Sequence, residues 1–463
     1  MGSSDTRGDG ASRPPREPFD IRELQSKIDA ALEREHAVWG VLVHSTGLGR
    51  DVASRHPDTA LVPASNVKMF TAMAALTVWN VGPHRTFDTR AHVVRDDSKG
   101  AVLCVHPSGD PTLRPADVDD LARASLASSD VPASEVRRVR LGGKEWQDEG
   151  AHPTWEVGDT RRAWAAPPSR ATMTSDEADG PRPPRDAAAP PNSPRRRLLH
   201  RLEATLELTA ADPDLPRDIV PSCESCEMGD FSRIASRSSP PVSALVRAAL
   251  EDSDNLVAEQ LLRAASGGKD SGRFLTSWSA VQAHKRCPRT STTADGASPT
   301  PRRIRFVDGS GLSRHNLAPP RAFVALVVDA LRGRDVEREE IELMRQEKMY
   351  GPTVLGTGRA PCGVFLDALA VGGRTGTLRG RLRDVEGEIR AKTGSMTGTC
   401  AMSGYFEKHP DPALGEVIFS VIANNHVGNV PDAAHRLRDV VDEVVALISL
   451  ARASGESSVD GPD

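Results

Sequence analysis

The stretch VPASNVKMFTAMAALTVW at residues 62–79 decides how the rest of the chain is interpreted. Pro63 and Ser65 are residues that commonly begin a helix, and the apolar side chains after them recur at helical spacing. The pattern therefore predicts a buried helix. Residues three apart lie on the same face of a helix, so the Ser65 hydroxyl and the Lys68 amine are expected side by side.

Ser65 and Lys68 by themselves allow two interpretations. Such a pair occurs by chance in most long proteins, where it is an ordinary part of a helix surface. Alternatively, a serine hydroxyl, which is a poor nucleophile, becomes reactive when a neighbouring base takes its proton. A lysine can be that base if burial or a nearby cation lowers its pKa. Backbone N–H groups at a helix start would also face a developing oxyanion.

A second motif, Ser253-Asp254-Asn255, precedes the apolar helical segment LVAEQLLR. All three residue types cap helices well, which is the simplest explanation of the motif. In the functional interpretation, the Ser253 hydroxyl relays a proton between the base and the leaving group. Asn255 would then hydrogen-bond both the lysine and the substrate.

A third motif, Lys392-Thr393-Gly394-Ser395, lies in a segment whose alternation predicts an antiparallel strand. It can be an exposed strand end, or it can line one wall of a cleft. Gly394 has no Cβ and would let a substrate backbone come close, while Lys392 would supply positive charge. Thr393 and Ser395 offer hydroxyls for a carboxylate, and the backbone N–H of Ser395 can be a second oxyanion donor.

The three motifs occur in the order SxxK, SDN and KTG, which is the set found in class A β-lactamases and penicillin-binding proteins. Each also lies in the local structure that the chemistry requires. A chance origin would need three independent coincidences in this order. We therefore interpret Ser65 as an active-site nucleophile.

Longer segments around these motifs resemble one family more specifically. The chain is similar to the D-alanyl-D-alanine carboxypeptidase/endopeptidase family of class C low-molecular-mass penicillin-binding proteins, the penicillin-binding protein 4 type. The similar segments are VPASNVKMFTAMAAL (62–76), PSGDPTL (107–113), HPTWEVGD (152–159), AWAAPPS (163–169), SSPPVSALVRAALEDSDNLVAEQLLR (238–263), VDGSGLSRHN (307–316), VGGRTGTLRGRL (371–382) and IRAKTGSMTG (389–398).

The resemblance implies an α+β fold, in which a β-lactamase-like transpeptidase domain (an antiparallel sheet flanked by helices) carries an inserted small β-rich domain. The divisions expected are a disordered leader (1–18), the serine peptidase domain (19–90 and 238–452), the inserted β-rich domain (91–168), a low-complexity linker or remnant insert (169–237) and a polar tail (453–463). The linker is rich in Pro, Ala and Arg and is not expected to form a core of its own.

The same resemblance implies a serine-type D-Ala-D-Ala carboxypeptidase or D,D-endopeptidase that forms an acyl-enzyme on Ser65. The residues to which it gives a catalytic role are Ser65, Lys68, Ser253, Asn255 and Lys392, and those to which it gives a substrate-binding role are Thr393, Gly394 and Ser395. Peptidoglycan stem peptides are the expected substrates and β-lactam antibiotics the expected ligands. The scheme requires no metal and no cofactor. Asp308 and its neighbouring glycines are expected to form a scaffold loop, His315 to be structural, and Gly376 and Thr377 to lie at the cleft rim.

Two alternatives remain open at this point. One is a β-lactamase or esterase built on the same site. Ser65 and Ser253 are 188 residues apart, much farther than in a class A β-lactamase, and no Glu-x-x-Leu-Asn segment follows, which disfavours that alternative. The other is a non-catalytic peptidoglycan-binding homologue with a decayed insert.

Composition excludes several classes of partner. The 463 residues carry a formal net charge of −5, which gives no electrostatic reason to expect nucleic acid. No apolar stretch reaches the ~18 residues that a membrane span requires.

The six cysteines do not suggest a disulfide framework in a chain of this length, although Cys223 and Cys226 form a CxxC pair. The first twenty residues contain no apolar signal-peptide core, whereas the family is extracytoplasmic, so the periplasm, the cell envelope and a plastid all stay open.

Overall fold

The computed structural model describes residues 20–78, 83–96, 100–142, 150–159, 165–174, 194–206, 234–286, 304–346, 361–385, 388–408, 414–426 and 430–454. Its helices are α1 (Ile21–Leu32), α2 (Val67–Thr77), α3 (Pro115–Ala127), α4 (Pro194–Thr205), α5 (Val242–Glu251), α6 (Asn255–Ser266), α7 (Ser271–Arg286), α8 (Pro320–Gln346), α9 (Pro361–Asp367) and α10 (Val430–Ser454). Its strands are β1 (Val38–Ser45), β2 (Arg50–Arg55), β3 (Asp88–Asp96), β4 (Gly100–His106), β5 (Val136–Leu141), β6 (Ala235–Ser238), β7 (Ala370–Val371), β8 (Ile389–Met396), β9 (Thr399–Phe406) and β10 (Val417–Asn424).

The larger sheet has six strands in the order β2-β1-β10-β9-β8-β7, and all its neighbours are antiparallel. Helices cover both of its faces, so the central strands β9 and β10 are buried along their whole length. On β10 the two faces still alternate, because Ile418 and Ile422 belong to one apolar cluster while Phe419 and Val421 belong to the other. The α+β class and the antiparallel sheet flanked by helices are confirmed.

The two apolar clusters separate the helices into two layers. Helices α1 and α10 pack on one face of the larger sheet. The other face is covered by a thicker layer whose members are α2, α5, α6, α7, α8 and α9. Helix α2 lies inside this layer, and each of residues 67–76 is buried. The buried helix predicted from the opening stretch is therefore confirmed.

A second, smaller sheet has four strands in the order β5-β4-β3-β6. Strand β4 pairs with β5 in parallel, while β3 pairs antiparallel with both β4 and β6. Helices α3 and α4 bury Leu121, Leu198 and Leu202 against it and complete a separate apolar core. This sheet is the small β-rich unit that the fold class includes; the domain boundaries given above stay a prediction.

Several elements differ from the sequence-based expectation. Helices α7 and α9 and strand β6 were not predicted. Cys104 on β4 is disulfide-bonded although the cysteine count suggested no such framework, whereas Cys362 and Cys400 are not in disulfides. The CxxC pair at 223 and 226 lies outside the described residues. In the part of the chain that the structure covers, no helix has the length and apolarity needed to cross a membrane.

Candidate active site

Ser65 lies in a short 3₁₀ turn, Ala64–Asn66, that leads directly into α2. Lys68 follows in the first turn of the helix, and its Nζ lies 2.9 Å from Ser65 Oγ. Ala64 has a φ of 48°, a left-handed conformation that is uncommon for alanine. Gly311 packs against this turn so closely that a Cβ there would overlap the Ala64 carbonyl group. The turn that carries Ser65 is thus held in an unusual shape by the surrounding chain.

Asn66 fixes the turn to the sheet behind it. Its Nδ2 donates to Ser403 Oγ on β9 at 2.8 Å, and Ser403 Oγ lies 2.8 Å from Ser420 Oγ on β10. All three side chains are buried. Because hydrogen bonds in a buried polar group restrict its orientation, this chain limits movement of the residue next to Ser65.

The Lys68 ammonium is fully buried and has three hydrogen-bond acceptors. Besides Ser65 Oγ, these are Asn255 Oδ1 at 2.6 Å and the Ser310 carbonyl oxygen at 2.6 Å. The acceptors come from three distant parts of the sequence. Lys68 is therefore the point at which the SxxK motif, the SDN motif and the loop at residues 307–316 meet.

Burial lowers the pKa of Lys68 to about 8, because the charged form loses its hydration. The carboxylates of Asp308, Glu259 and Asp254 oppose this effect and keep the pKa of Lys68 from falling further. A lysine with this pKa carries no proton in roughly a tenth of the molecules at neutral pH, since each pH unit below the pKa changes the ratio tenfold. The side chain can therefore accept a proton from Ser65 under ordinary conditions.

The three residues of the SDN motif differ in what they contact. Asp254 is the N-cap of α6, and its side chain accepts from the Val257 N–H at 2.9 Å. Ser253 precedes the cap with a φ of 64°, in the left-handed region. Gly376 touches this loop from the other side, where a Cβ would overlap the Glu251 carbonyl. The simple capping explanation thus holds for Asp254 alone, while Ser253 faces the cleft and Asn255 contacts Lys68.

The KTG motif lies on β8, as predicted. Gly394 packs against the turn of Ser65, where a Cβ would lie 2.9 Å from the Pro63 carbonyl oxygen and 3.0 Å from the Ser65 nitrogen. Lys392 is fully buried and donates to the Thr393 carbonyl at 2.9 Å, while Thr393 Oγ1 donates to Thr377 Oγ1 at 2.8 Å. The absence of a side chain at Gly394 therefore lets the strand lie directly beside the Ser65 turn.

Lys392 has a pKa that is well below its ordinary value. Burial is the main cause, the positive charge of Lys68 adds to it, and Asp252 opposes both. Burial and a like charge therefore act in the same direction on Lys392.

One cleft collects the predicted residues. It encloses about 360 Å³ and is lined by Ser65, Ser253, Thr377, Arg381, Thr393, Gly394, Ser395 and Arg438. Five of the eight predicted site residues line it directly. The other three are linked to it by hydrogen bonds: Lys68 to Ser65, Asn255 to Lys68, and Lys392 to the Thr393 carbonyl. Thr377 lines the cleft as expected for a residue at its rim.

An acidic network behind Lys68 was not predicted from the sequence. Glu259 Oε1 accepts from the N–H groups of Gly309 and Ser310, and its Oε2 pairs with Arg263 at 2.5 Å. Glu259 and Arg263 are both buried. The network fixes the backbone that presents the Ser310 carbonyl to Lys68.

Asp308 is the centre of the 307–316 loop. Its Oδ1 accepts from the Gly311 N–H and from Asn316 Nδ2, and its Oδ2 accepts from the Ser313 N–H and from Trp155 Nε1. Burial and the negative charge of Glu259 raise the pKa of Asp308 to about 6. The scaffold role expected for Asp308 agrees with these contacts, and its charge also acts on Lys68.

Two arginines in the cleft were likewise not predicted. Arg381 forms a two-pronged ion pair with Asp442, through Nε at 3.0 Å and Nη2 at 2.6 Å. Arg438 comes from α10, and its buried Nε has no hydrogen-bond partner among the described residues. Arg381 lies within the segment 371–382 that resembles the family, although no role was predicted for it, whereas Arg438 lies in none of the similar segments.

The arrangement has the parts that acyl transfer requires. The Ser65 hydroxyl lies within hydrogen-bond distance of the Lys68 amine, whose pKa is lowered. The Ser253 hydroxyl and the strand with the KTG motif line the same cleft. Within the described ranges, no group of three or more His, Cys, Asp or Glu side chains is placed to hold a metal ion.

Comparisons with known proteins agree with this geometry. The D-alanyl-D-alanine carboxypeptidase of Actinomadura sp. (strain R39) is 28% identical over an alignment that covers 95% of this chain and 87% of that protein. Carboxypeptidase DacB of Mycolicibacterium smegmatis is 27% identical, with coverage of 78% and 71%. Penicillin-binding protein 4 of Haemophilus influenzae has a similar fold, with a TM-score of 0.61 at 16% identity over 95% of this chain and 100% of that one, and a second structure of it holds a β-lactam.

The match to a family model is decisive because it extends over most of the chain. The model of the D-Ala-D-Ala carboxypeptidase 3 (S13) family matches residues 24–182, 225–344 and 360–446. These ranges include all three motifs and the loop that contacts Lys68. The protein therefore belongs to the D-Ala-D-Ala carboxypeptidase 3 (S13) family and is a serine peptidase.

Proposed function

We propose that the protein cleaves D-Ala-D-Ala or an equivalent D,D-peptide bond of peptidoglycan stem peptides through an acyl-enzyme on Ser65. The observation that carries this proposal is the 2.9 Å distance between Ser65 Oγ and the Nζ of a buried Lys68 whose pKa is lowered to about 8. A serine so close to a potential base has the geometry of an activated nucleophile.

Lys68 acts first, as the general base. In its neutral form, Nζ accepts the Ser65 proton while Oγ bonds to the carbonyl carbon of the scissile peptide. The 2.9 Å contact then becomes a bond in which the hydroxyl donates to the amine. The Asn255 and Ser310 oxygens accept from Nζ in either state and keep its position fixed while its charge changes.

The oxyanion is held by backbone N–H groups in this scheme. Those of Ser65 and Ser395 are the donors, since Gly394 allows β8 to lie against the Ser65 turn. Loss of one such donor in a comparable hole costs about 2.7–4 kcal/mol of transition-state stabilisation. Close packing at Gly394 is therefore a requirement of the reaction as well as of the fold.

The second half of the cycle releases two products. Lys68 passes the proton it accepted to Ser253, which donates one to the leaving amine as the carbon–nitrogen bond breaks. The terminal residue leaves, the acyl group stays on Ser65, and Lys68 is neutral again. Water then attacks the ester, Lys68 accepts its proton, and Ser65 is regenerated. Thr393 and Ser395 bind the substrate carboxylate, and Lys392 contributes to the electrostatic field behind them.

A β-lactam should acylate the same serine, because its strained amide presents a carbonyl in place of the peptide. The ring nitrogen stays attached to the acyl group and blocks the approach of water, so the adduct persists. Interpreted this way, the β-lactam bound to the Haemophilus influenzae relative predicts a stable penicillin adduct on Ser65.

The test is a labelling experiment with fluorescent penicillin on the full chain. The wild-type protein should show a covalent band and a peptide-mapped adduct at Ser65, and Ser65→Ala should show neither. Ser54→Ala on β2 is a matched control that should label normally. Absence of any wild-type adduct together with glycan binding would support a non-catalytic homologue, and rapid turnover of a chromogenic cephalosporin would support a β-lactamase. Labelling of Ser65→Ala at another residue would contradict the assignment.

A further inference from the structure

The segment HPTWEVGD at residues 152–159 resembles the family, but the scheme above gives it no role. It lies between β5 and α4 in the chain, and the structure places it against the 307–316 loop. Three consecutive residues make side-chain contacts with that loop. Thr154 Oγ1 lies 2.6 Å from Ser313 Oγ, Trp155 Nε1 donates to Asp308 Oδ2 at 2.9 Å, and Glu156 pairs with Arg314. The segment is therefore attached to the same loop that presents a carbonyl to Lys68.

Trp155 is the buried member of this contact. It is 5% exposed and its partner Asp308 is 2% exposed, whereas the residues on either side of Trp155 are more exposed. The Trp155 ring packs with Ala165 and Leu312 in a small apolar cluster that is separate from the other cores. An indole has a single N–H donor, and here that donor is bound to a carboxylate. The ring and its donor are thus held in place from two segments of the chain.

Four hydrogen bonds reach the Asp308 carboxylate from the described residues. Three of them come from donors within the 307–316 loop, and the fourth comes from Trp155. Ser310 belongs to the same loop, and its carbonyl accepts from Lys68 Nζ at 2.6 Å. The bonds to Asp308 therefore shape the backbone that holds Lys68.

An ionised Asp308 suits this arrangement. The four donors are all N–H groups, and a protonated carboxyl would direct an O–H against one of them. Burial and the charge of Glu259 nevertheless raise the pKa of Asp308 to about 6, and the hydrogen bonds within the loop oppose that rise. A hydrogen bond to the charged form of an acid lowers its pKa, so the Trp155 N–H acts in the same direction as those bonds. Loss of the indole donor should therefore leave Asp308 protonated at a higher pH.

Several other titratable or charged groups are packed around Asp308 and Lys68. They are Asp254, Glu259 and Arg263 on or beside α6, Lys392 on β8, and His152, Glu156, Arg314 and His315 at the contact between the segment and the loop. Glu259 pairs with Arg263, and Glu156 pairs with Arg314. Trp155 itself is uncharged, so replacing it removes none of these charges.

We infer that Trp155 is a positioning residue for the proposed reaction: its indole N–H keeps Asp308 ionised and oriented, and so holds the Ser310 carbonyl in place for Lys68. The inference rests on the proposed function. It gives the 152–159 segment a part in proton transfer, although none of its residues belongs to the three motifs and Trp155 does not line the cleft.

The test measures the second-order rate constant for acylation of the full chain by fluorescent penicillin, from about pH 5.5 to about pH 9. Trp155→Phe removes the N–H and keeps an aromatic ring. At the alkaline end Asp308 is ionised in both proteins, so the variant should react at close to the wild-type rate. Loss of a hydrogen bond to a charged group raises the pKa of the acid by about one unit, so at the acidic end the variant should be about tenfold slower than the wild type.

A merely structural role would instead give a loss that does not depend on pH. Thr154→Val is one control, because it removes a hydroxyl at the same contact. Trp39→Phe is the other, because the Trp39 indole is also 5% exposed and donates to the Glu35 carbonyl at 3.3 Å. Both controls should keep the wild-type ratio between the rates at acidic and alkaline pH.

A second variant at the same position separates the donor from the shape of the ring, since Phe fills less space than Trp. Benzothienylalanine at position 155 carries sulfur where the indole has its N–H, and it should show the same loss at acidic pH. An equal loss at every pH in folded Trp155→Phe, or a wild-type profile in the benzothienylalanine variant, would overturn the inference. An acid-dependent loss in Thr154→Val would do so too. Absence of a wild-type penicillin adduct at every pH would instead be a failure of the proposed function.

Discussion

The two walls of the cleft differ in the charges that surround their lysines. The helical wall consists of the Ser65–Lys68 turn, the SDN motif and the 307–316 loop, and the carboxylates of Asp308, Glu259 and Asp254 all act on Lys68. The strand wall consists of the KTG motif with Arg381 and Arg438, and among the described residues Asp252 is the acid that opposes the effect of burial on Lys392.

This contrast shows how two buried lysines can differ in pKa when their charged neighbours differ. Both lysines are fully buried, so burial lowers the pKa of each. On the helical wall, nearby carboxylates oppose burial and hold the pKa of Lys68 at about 8, close to working pH. On the strand wall, the charge of Lys68 adds to burial, and the pKa of Lys392 falls well below its ordinary value. Of these two lysines, Lys68 is therefore the one whose pKa suits the base that we propose.

The strongest way to break this comparison is to remove the base. Lys68→Met should lower the acylation rate by penicillin or peptide about 10²–10⁴-fold, the range that a positioned general base supplies. Lys27→Met on the exposed surface of α1 is the control and should react at the wild-type rate. Stopped-flow or quenched labelling measures the rate, and a circular dichroism spectrum checks the fold. Wild-type kinetics in Lys68→Met would exclude this lysine as the base.

The contact between the walls can be tested at Gly394. A Cβ at this position would meet the Pro63 carbonyl and the Ser65 nitrogen at 2.9 and 3.0 Å, so Gly394→Ala should force β8 away from the nucleophile. We expect acylation to slow by about a hundred-fold, as for an ångström-scale misplacement of reacting groups. Gly380→Ala is the matched control, because nothing lies within 4 Å of a Cβ there. Equal acylation rates in the two alanine variants would show that the close approach is not needed.

The pH dependence of acylation sharpens the comparison further. Lys68 is a base only without its proton, so the second-order rate constant should rise about tenfold per pH unit below pH 8 and level off above it. Asp254 raises the pKa of Lys68, so Asp254→Asn should move this limb to lower pH by a fraction of a unit. Asparagine caps helices as well as aspartate does, so α6 should persist.

Asp252→Asn provides the control for that shift. Asp252 acts on the strand wall through Lys392, so its removal should leave the limb assigned to Lys68 in place. A rate that stays constant from pH 6 to 9, or an upward shift in Asp254→Asn, would mean that a different group limits acylation.

The sequence was informative where a pattern is local. Helix α2, its buried character and the strand β8 all follow directly from side-chain periodicity. Helix α7 was missed because its apolar residues are interrupted by Ser, Thr and Gln and give no clear stripe. Strand β6 is only four residues long and is defined by its pairing with β3 rather than by its own composition.

The same limit applies to the site. Ser65 and Lys68 are three residues apart, so a helix alone brings them together. Arg438 and Glu259 reach the site only because two helices pack where they do, and a long charged residue on an amphipathic helix has the appearance of surface. The glycines of the 307–316 loop predict a tight turn, but the bond from Lys68 to the Ser310 carbonyl depends on tertiary packing.

The pairing of β3 with β6 has a consequence for how this chain can change length. Asp88 and Ser238 are register partners, so the segment inserted between them begins and ends at neighbouring positions. Removing this segment would leave its two flanking residues close together. The inserted segment nevertheless contains Trp155, whose indole donates to Asp308 at 2.9 Å, and Ser169, whose carbonyl accepts from Gln260 at 2.7 Å. Without this segment, Asp308 would be exposed to water, and its electrostatic effect on the pKa of Lys68 would change. We therefore expect shortening to be tolerated away from Trp155 and Ser169 but not in the segments that contain them, because those segments contact Asp308 and Gln260.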